Sequence, residues 1–128
     1  MPTALLTGAP THAAAATALL ERRGFSVLDG SPLPAPPVDC YLQLPATGRH
    51  GRDLAARLDT LVAVAAHLDR RATVLLALDD SDAGRVAVPA ELLLALALVV
   101  LEDYGRPNAR VAVLTLADLY EPALALAD

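Results

Sequence analysis

The stretch Thr3-Ala4-Leu5-Leu6-Thr7-Gly8-Ala9-Pro10-Thr11-His12-Ala13 constrains the fold of this chain more than any other. Its apolar run is too short for a helix before Gly8 and Pro10 interrupt it, and alanines and leucines at helical spacing follow. The stretch therefore predicts a strand, a tight turn and a helix. Further segments repeat this alternation, which is the pattern of an α/β fold with a parallel sheet.

The first helix is expected from about Thr11 to Arg23, with Gly24 as its left-handed stop. Phe25–Asp29 reads as the second strand. Ser31–Pro37 holds four prolines, which exclude a helix and favour an extended connection across the sheet. Val38–Leu44 is expected as the third strand, with Cys40 a small buried hydrophobe, and Asp53–Leu68 as a helix. The apolar run Val74–Leu78 suits a parallel strand covered on both faces. An acidic loop, a helix from Pro89 to Tyr104, a strand Arg110–Thr115 and a tail from Leu116 complete the chain.

Composition narrows the functional classes. The 128 residues suit one domain, 1–128, with one core. A net charge of −5 and a scarcity of aromatic residues speak against nucleic acid as a partner. A single cysteine excludes an internal disulfide, and no apolar run reaches the ~18 residues of a membrane span. The expectation is a cytoplasmic protein. Every basic residue other than histidine is arginine; the chain has no lysine at all.

A strand–Thr-Gly–helix opening also begins dinucleotide-binding units, in which three glycines let the backbone approach a pyrophosphate at the helix N-terminus. Here only Gly8 remains, His12 and Ala14 stand at the second and third glycine positions, and Pro10 removes an N–H donor. Asp29, about 20 residues beyond Gly8, stands where such units hold the ribose hydroxyls. Thr7, Gly8, His12 and Asp29 are thus the residues that would meet a nucleotide, and NAD(P) is the one cofactor the opening leaves open. The alternative for Asp29 is a strand-end aspartate beside a turn.

Taken in order, Leu5-Leu6-Thr7-Gly8, Val38-Asp39, Ser81-Asp82-Ala83-Gly84, Leu101–Gly105 and Arg110-Val111 resemble the short-chain dehydrogenase/reductase family over nearly the whole chain, at about half the family's usual length. The chain also resembles the truncated structural half of polyketide-synthase ketoreductase domains. The resemblance implies a Rossmann-like three-layer sandwich with a small, mostly parallel five-stranded sheet of order 2-1-3-4-5. It implies that Ser81 matches the family's catalytic serine. The family's Tyr-x-x-x-Lys pair would fall within Ala87–Leu98, which holds neither residue, and Leu44-Pro45-Ala46 replaces the Asn-Ala-Gly that lines the cofactor. A constellation that works as a unit loses its mechanism when most of it is gone. The expectation is a protein that is not an enzyme of the family's kind, with an NAD(P)-binding module or a residual oxidoreductase of that family as the alternative. An enzyme of another class, using the acidic loop Asp79–Asp82 with Mg²⁺ or as acid and base, is the remaining catalytic alternative.

From Leu92 to Leu101 the sequence is apolar all the way round, and Leu61–Leu68 is nearly so. A helix lying on a sheet needs only one apolar stripe. The excess predicts an interface through the two helices, at Leu61, Val64, Leu68, Leu92, Leu94, Leu96, Leu98 and Leu101. In the resembled family these helices form a four-helix bundle across a two-fold axis. The expected role is a dimerising structural or accessory subunit, paired with itself or with an active reductase; burial under the C-terminal tail is the alternative.

Overall fold

The structure, a computed structural model, describes residues 2–8, 13–29, 38–44, 53–78 and 90–115. In chain order the elements are β1 (Thr3–Thr7), α1 (Ala13–Arg22), β2 (Ser26–Asp29), β3 (Val38–Gln43), α2 (Asp53–Ala65), β4 (Leu68–Leu78), α3 (Ala90–Asp103) and β5 (Arg110–Thr115). The strands form one sheet in the order β2-β1-β3-β4-β5, and every neighbouring pair is parallel. This is a Rossmann-like α/β fold, with the strand order that the resemblance implies and a sheet that is parallel throughout.

Alternation along the strands builds a core on each face. Ala4 and Leu6 of β1 join Cys40, Leu42, Leu75 and Ala77 under Ala16, Leu19 and Leu20 of α1. Leu5 joins Tyr41, Val74 and Leu76 on the opposite face, under Leu61, Val64 and Ala65 of α2 and Leu93, Ala97 and Leu101 of α3. Burial on both faces is why Val74–Leu78 of β4 reads as a continuous apolar run. Among the described helices none is long and apolar enough to cross a membrane.

Two helices end in the same way. The Gly24 N–H donates to the Glu21 carbonyl at 3.0 Å and the Phe25 N–H to Leu20 at 3.1 Å, with Gly24 at φ +88°. At the end of α3, Gly105 donates to Glu102 at 3.1 Å and Arg106 to Leu101 at 2.7 Å, with Gly105 at φ +77°. Both are Schellman closures, which satisfy carbonyls that the helix itself leaves open. Arg106 then adds a clasp: its Nε donates to the Leu68 carbonyl at 2.8 Å, Nη2 to Ala66 at 3.3 Å and Nη1 to Tyr104 at 3.0 Å. A cation at the carboxyl ends of two helices also meets the negative end of each macrodipole.

The largest departure from the sequence reading lies between α2 and β4. The helix ends at Ala65 rather than Leu68, the His67 N–H turns back to Val64 at 2.8 Å, and Leu68 already belongs to the strand. Val38 pairs with Leu68 and Cys40 with Thr73, so two steps along β3 match five along β4. The extra residues form a bulge in which the Asp69 carboxylate accepts the Arg71 N–H at 3.0 Å. The polar run Asp69-Arg70-Arg71 hid this half of the strand from any reading by hydrophobicity. The carboxyl ends of α1, β3 and α3 and the start of β2 also fall one residue inside their expected bounds, whereas the expected starts of α1 and α3 lie outside the described residues. Ser31–Pro37 and the tail from Leu116 lie outside the described residues.

Candidate functional site

In this strand order the chain reverses direction across the β1/β3 pair, and open parallel sheets receive ligands at the carboxyl ends of the strands at such a point. Thr7 and Gly8 end β1 there, and Gln43 and Leu44 end β3. The Leu44 N–H donates to the Thr7 carbonyl at 2.9 Å, which draws the two strand ends together. Gly8 has φ +116°; a Cβ added to it would press on the Leu44 carbonyl oxygen and lie 2.6 Å from the Leu44 Cβ. Gly8 is therefore required by the strand joint itself, whether or not a phosphate ever approaches it.

Behind this joint lies a polar cluster in an otherwise apolar layer. The Tyr41 hydroxyl is 2.6 Å from the Thr7 Oγ1 and accepts a hydrogen bond from the Gln43 Nε2 at 3.0 Å. The same Gln43 amide donates to the Arg57 carbonyl at 3.0 Å. In return the Arg57 Nε donates to the Gln43 Oε1 at 2.7 Å and Nη2 to the Gln43 carbonyl at 3.1 Å. Gln43 and Arg57 are 2% and 3% exposed, so these bonds replace water rather than compete with it. Burial pushes the Tyr41 phenol up; bonds to Thr7 and Gln43 and the charge of Arg57 pull the other way without reversing it. At neutral pH the phenol is thus a neutral hydrogen-bonding group, and the cluster fastens the amino-terminal half of α2 to the β1/β3 joint.

Sequence reasoning missed this cluster, although its signal was present. Gln43 stands between Leu42 and Leu44 in a strand with both faces covered, so its amide had to find partners inside. Arg57 precedes Leu61 and Val64 by four and seven residues, on the inward stripe of α2.

The nucleotide-binding expectations divide. Thr7 and Gly8 lie together at the carboxyl edge, and Asp29 ends β2 with its Cα in register with Leu6. His12 lies outside the described residues, as do Ser81 and the acidic loop Asp79–Asp82. Cys40 is buried on the α1 side, where desolvation first and the Asp39 carboxylate second push its thiol up to about 12. Such a thiol is inert at neutral pH. The Asp39 carboxylate itself accepts the Thr3 N–H at 2.9 Å, at the opposite end of the sheet. Among the described residues no three His, Cys, Asp or Glu side chains gather as metal ligands do.

The eight positions expected at a helix interface also separate. Leu61, Val64, Leu68 and Leu101 are buried in the chain's own core against the sheet. Leu94 and Leu96 are half-buried. Leu92 and Leu98 are exposed, and so are Val99, which the sequence reading did not single out, and Tyr104 beyond the helix end. An apolar run with no polar side carries no phase, so it could not say which leucines face inward. On α2 the outward positions are Ala55, Asp59 and Ala63, with Val62 half-buried beside them, and Ala66 is exposed in the turn that follows.

Comparison with protein-family models, with curated proteins and with solved structures finds no match for this chain.

Proposed function

We propose that this chain is a non-catalytic relative of the short-chain dehydrogenases/reductases, an assembly module that pairs with a second copy of itself through the outer face of α3. One observation carries the reading: Leu92, Leu98 and Val99 are 43%, 46% and 55% exposed on a helix whose inward stripe, Leu93, Ala97 and Leu101, is already satisfied. Soluble chains rarely leave contiguous apolar surface uncovered, and a strip apolar along its centre is complementary to itself about a two-fold axis. The small outward residues Ala63 of the neighbouring α2 and Ala66 of the turn after it permit close approach of a partner helix. Acidic residues bracket the strip, with Glu91 at one end and Glu102 and Asp103 at the other. An antiparallel crossing brings these like charges toward each other, so the dimer tightens as salt screens them.

Sedimentation equilibrium tests the proposal. The wild-type chain should be dimeric in the micromolar range, and Val99→Glu should be monomeric with an unchanged far-ultraviolet circular dichroism spectrum. A wild-type monomer throughout that range, or a Val99→Glu dimer of equal strength, refutes it. A second reading, a nucleotide-binding module, draws on Asp29 and Gly8 lying at the same edge of adjacent strands. Calorimetric titration with NAD⁺ and NADP⁺ decides it: saturable heat supports the reading and its absence removes it.

A further inference from the structure

We infer that the amino-terminal edge of β4 and β5 holds a second site, which takes the phosphate group of a small phosphorylated molecule. A cavity of about 390 Å³ opens there, lined by Arg71, Thr73, Asn108 and Arg110. It lies at the opposite end of the sheet from Gly8 and the Tyr41 cluster, so it is separate from the candidate site described above.

The strand pairing assembles this lining. Thr73 and Arg110 are register partners across β4 and β5. Arg71 lies two residues before Thr73 on β4, and Asn108 lies two residues before Arg110 in the turn that leads into β5. The bulge in β4 supplies Arg71, whose own N–H is held by the Asp69 carboxylate. Without those extra residues the strand would bring no second guanidinium to this edge.

The chemistry of the lining is one-sided. Among the described residues, two guanidinium groups, a hydroxyl and a carboxamide line the space, with no carboxylate among them. In a chain of net charge −5 this is a local reversal of sign. Neither the Arg71 nor the Arg110 side chain forms a hydrogen bond or ion pair with another described residue, although Arg57 and Arg106 both have carbonyl or amide partners. Planar forks with free donors match the oxygens of a phosphate, which accepts several charge-assisted hydrogen bonds at once. The volume lies within the ~300–1,000 Å³ range of small-molecule sites, leaving room for an organic moiety beyond the phosphate.

The test titrates the full chain with glycerol 3-phosphate and, separately, with inorganic phosphate, following amide shifts by nuclear magnetic resonance. Saturable shifts at Arg71, Thr73, Asn108 and Arg110 are expected with glycerol 3-phosphate, weakening as salt is raised. Arg71→Gln and Arg110→Gln should each weaken binding by about tenfold or more, the weight of a hydrogen bond to a charged group. Because both side chains are exposed, the folded spectrum should persist in each variant. Binding of inorganic phosphate alone, or equally tight binding of both, would overturn the phosphorylated-molecule assignment in favour of the free anion. Absence of saturable shifts with either probe, or binding unchanged in the double variant, would overturn the site altogether.

Discussion

The Gln43–Arg57 pair gives the most discriminating prediction about what holds the candidate site in shape. Replacing Gln43 by Leu deletes the acceptor of the Arg57 Nε at 2.7 Å and two amide bonds at 3.0 Å, to Tyr41 and to the Arg57 carbonyl. Taking the lower ends of about 1.5–3 kcal/mol for a charge-assisted bond and about 0.5–1.5 for each neutral one, here and below, the loss is about 3 kcal/mol. Replacing Arg57 by Met removes the Nε bond and the Nη2 bond to the Gln43 carbonyl at 3.1 Å, again about 3 kcal/mol. The Nε–Oε1 bond is common to both losses, and removing both partners leaves no buried charge facing a leucine. The double variant should therefore be only about 4 kcal/mol less stable than wild type, with a coupling of about 2 kcal/mol. Urea unfolding followed by circular dichroism suits a chain without tryptophan. Protein concentration must be held constant, since the proposed self-association would add to apparent stability. Single-variant costs that sum to the double within about 0.5 kcal/mol would refute a mutually dependent pair.

Two further predictions rest on the same region of the fold. Gly8→Ala should destabilise the chain by about 3 kcal/mol, since it combines a left-handed backbone with a Cβ pressed on Leu44; a midpoint in urea equal to wild type would mean the strand joint tolerates a side chain. The Cys40 thiol rises from the ordinary 9.0 to about 12 in the fold, so the native state holds that proton more tightly than the unfolded chain does. Its contribution is complete below the unfolded value and is lost as pH climbs from about 9 toward about 12, by up to about 1.4 kcal/mol per unit for one proton. Tyr41 is shifted in the same direction and adds to the decline. Cys40→Ala should flatten the alkaline slope, and an identical slope in the variant would show that the thiol is not its source.

The fold was legible where hydrophobic pattern and backbone chemistry agreed. Gly24 and Gly105 marked the ends of α1 and α3, and the apolar run Val74–Leu78 marked the inner half of β4. Strand order was expected from resemblance, and the sheet has that order. Legibility failed where polar residues carry the architecture. Asp69-Arg70-Arg71 looks like a solvated turn, yet it lies within β4, because main-chain pairing asks nothing of side-chain polarity. Gln43, Tyr41 and Arg57 come from two elements and meet only once β3 and α2 are in place, so no local spacing announces them. Of the positions expected at an interface, Leu61, Val64, Leu68 and Leu101 are buried in the chain's own core, while Val99, which was not among them, is exposed.

Arg106 has a bearing beyond the carbonyls it caps. One side chain ties the turn after α2, the first residue of β4 and the turn after α3, so the two helices share a fixed anchorage at one end. A second copy docking as proposed would therefore meet a panel whose two ribs are already locked in spacing and tilt. Docking onto such a preorganised panel forfeits little internal freedom, which leaves more of the contact energy available as affinity.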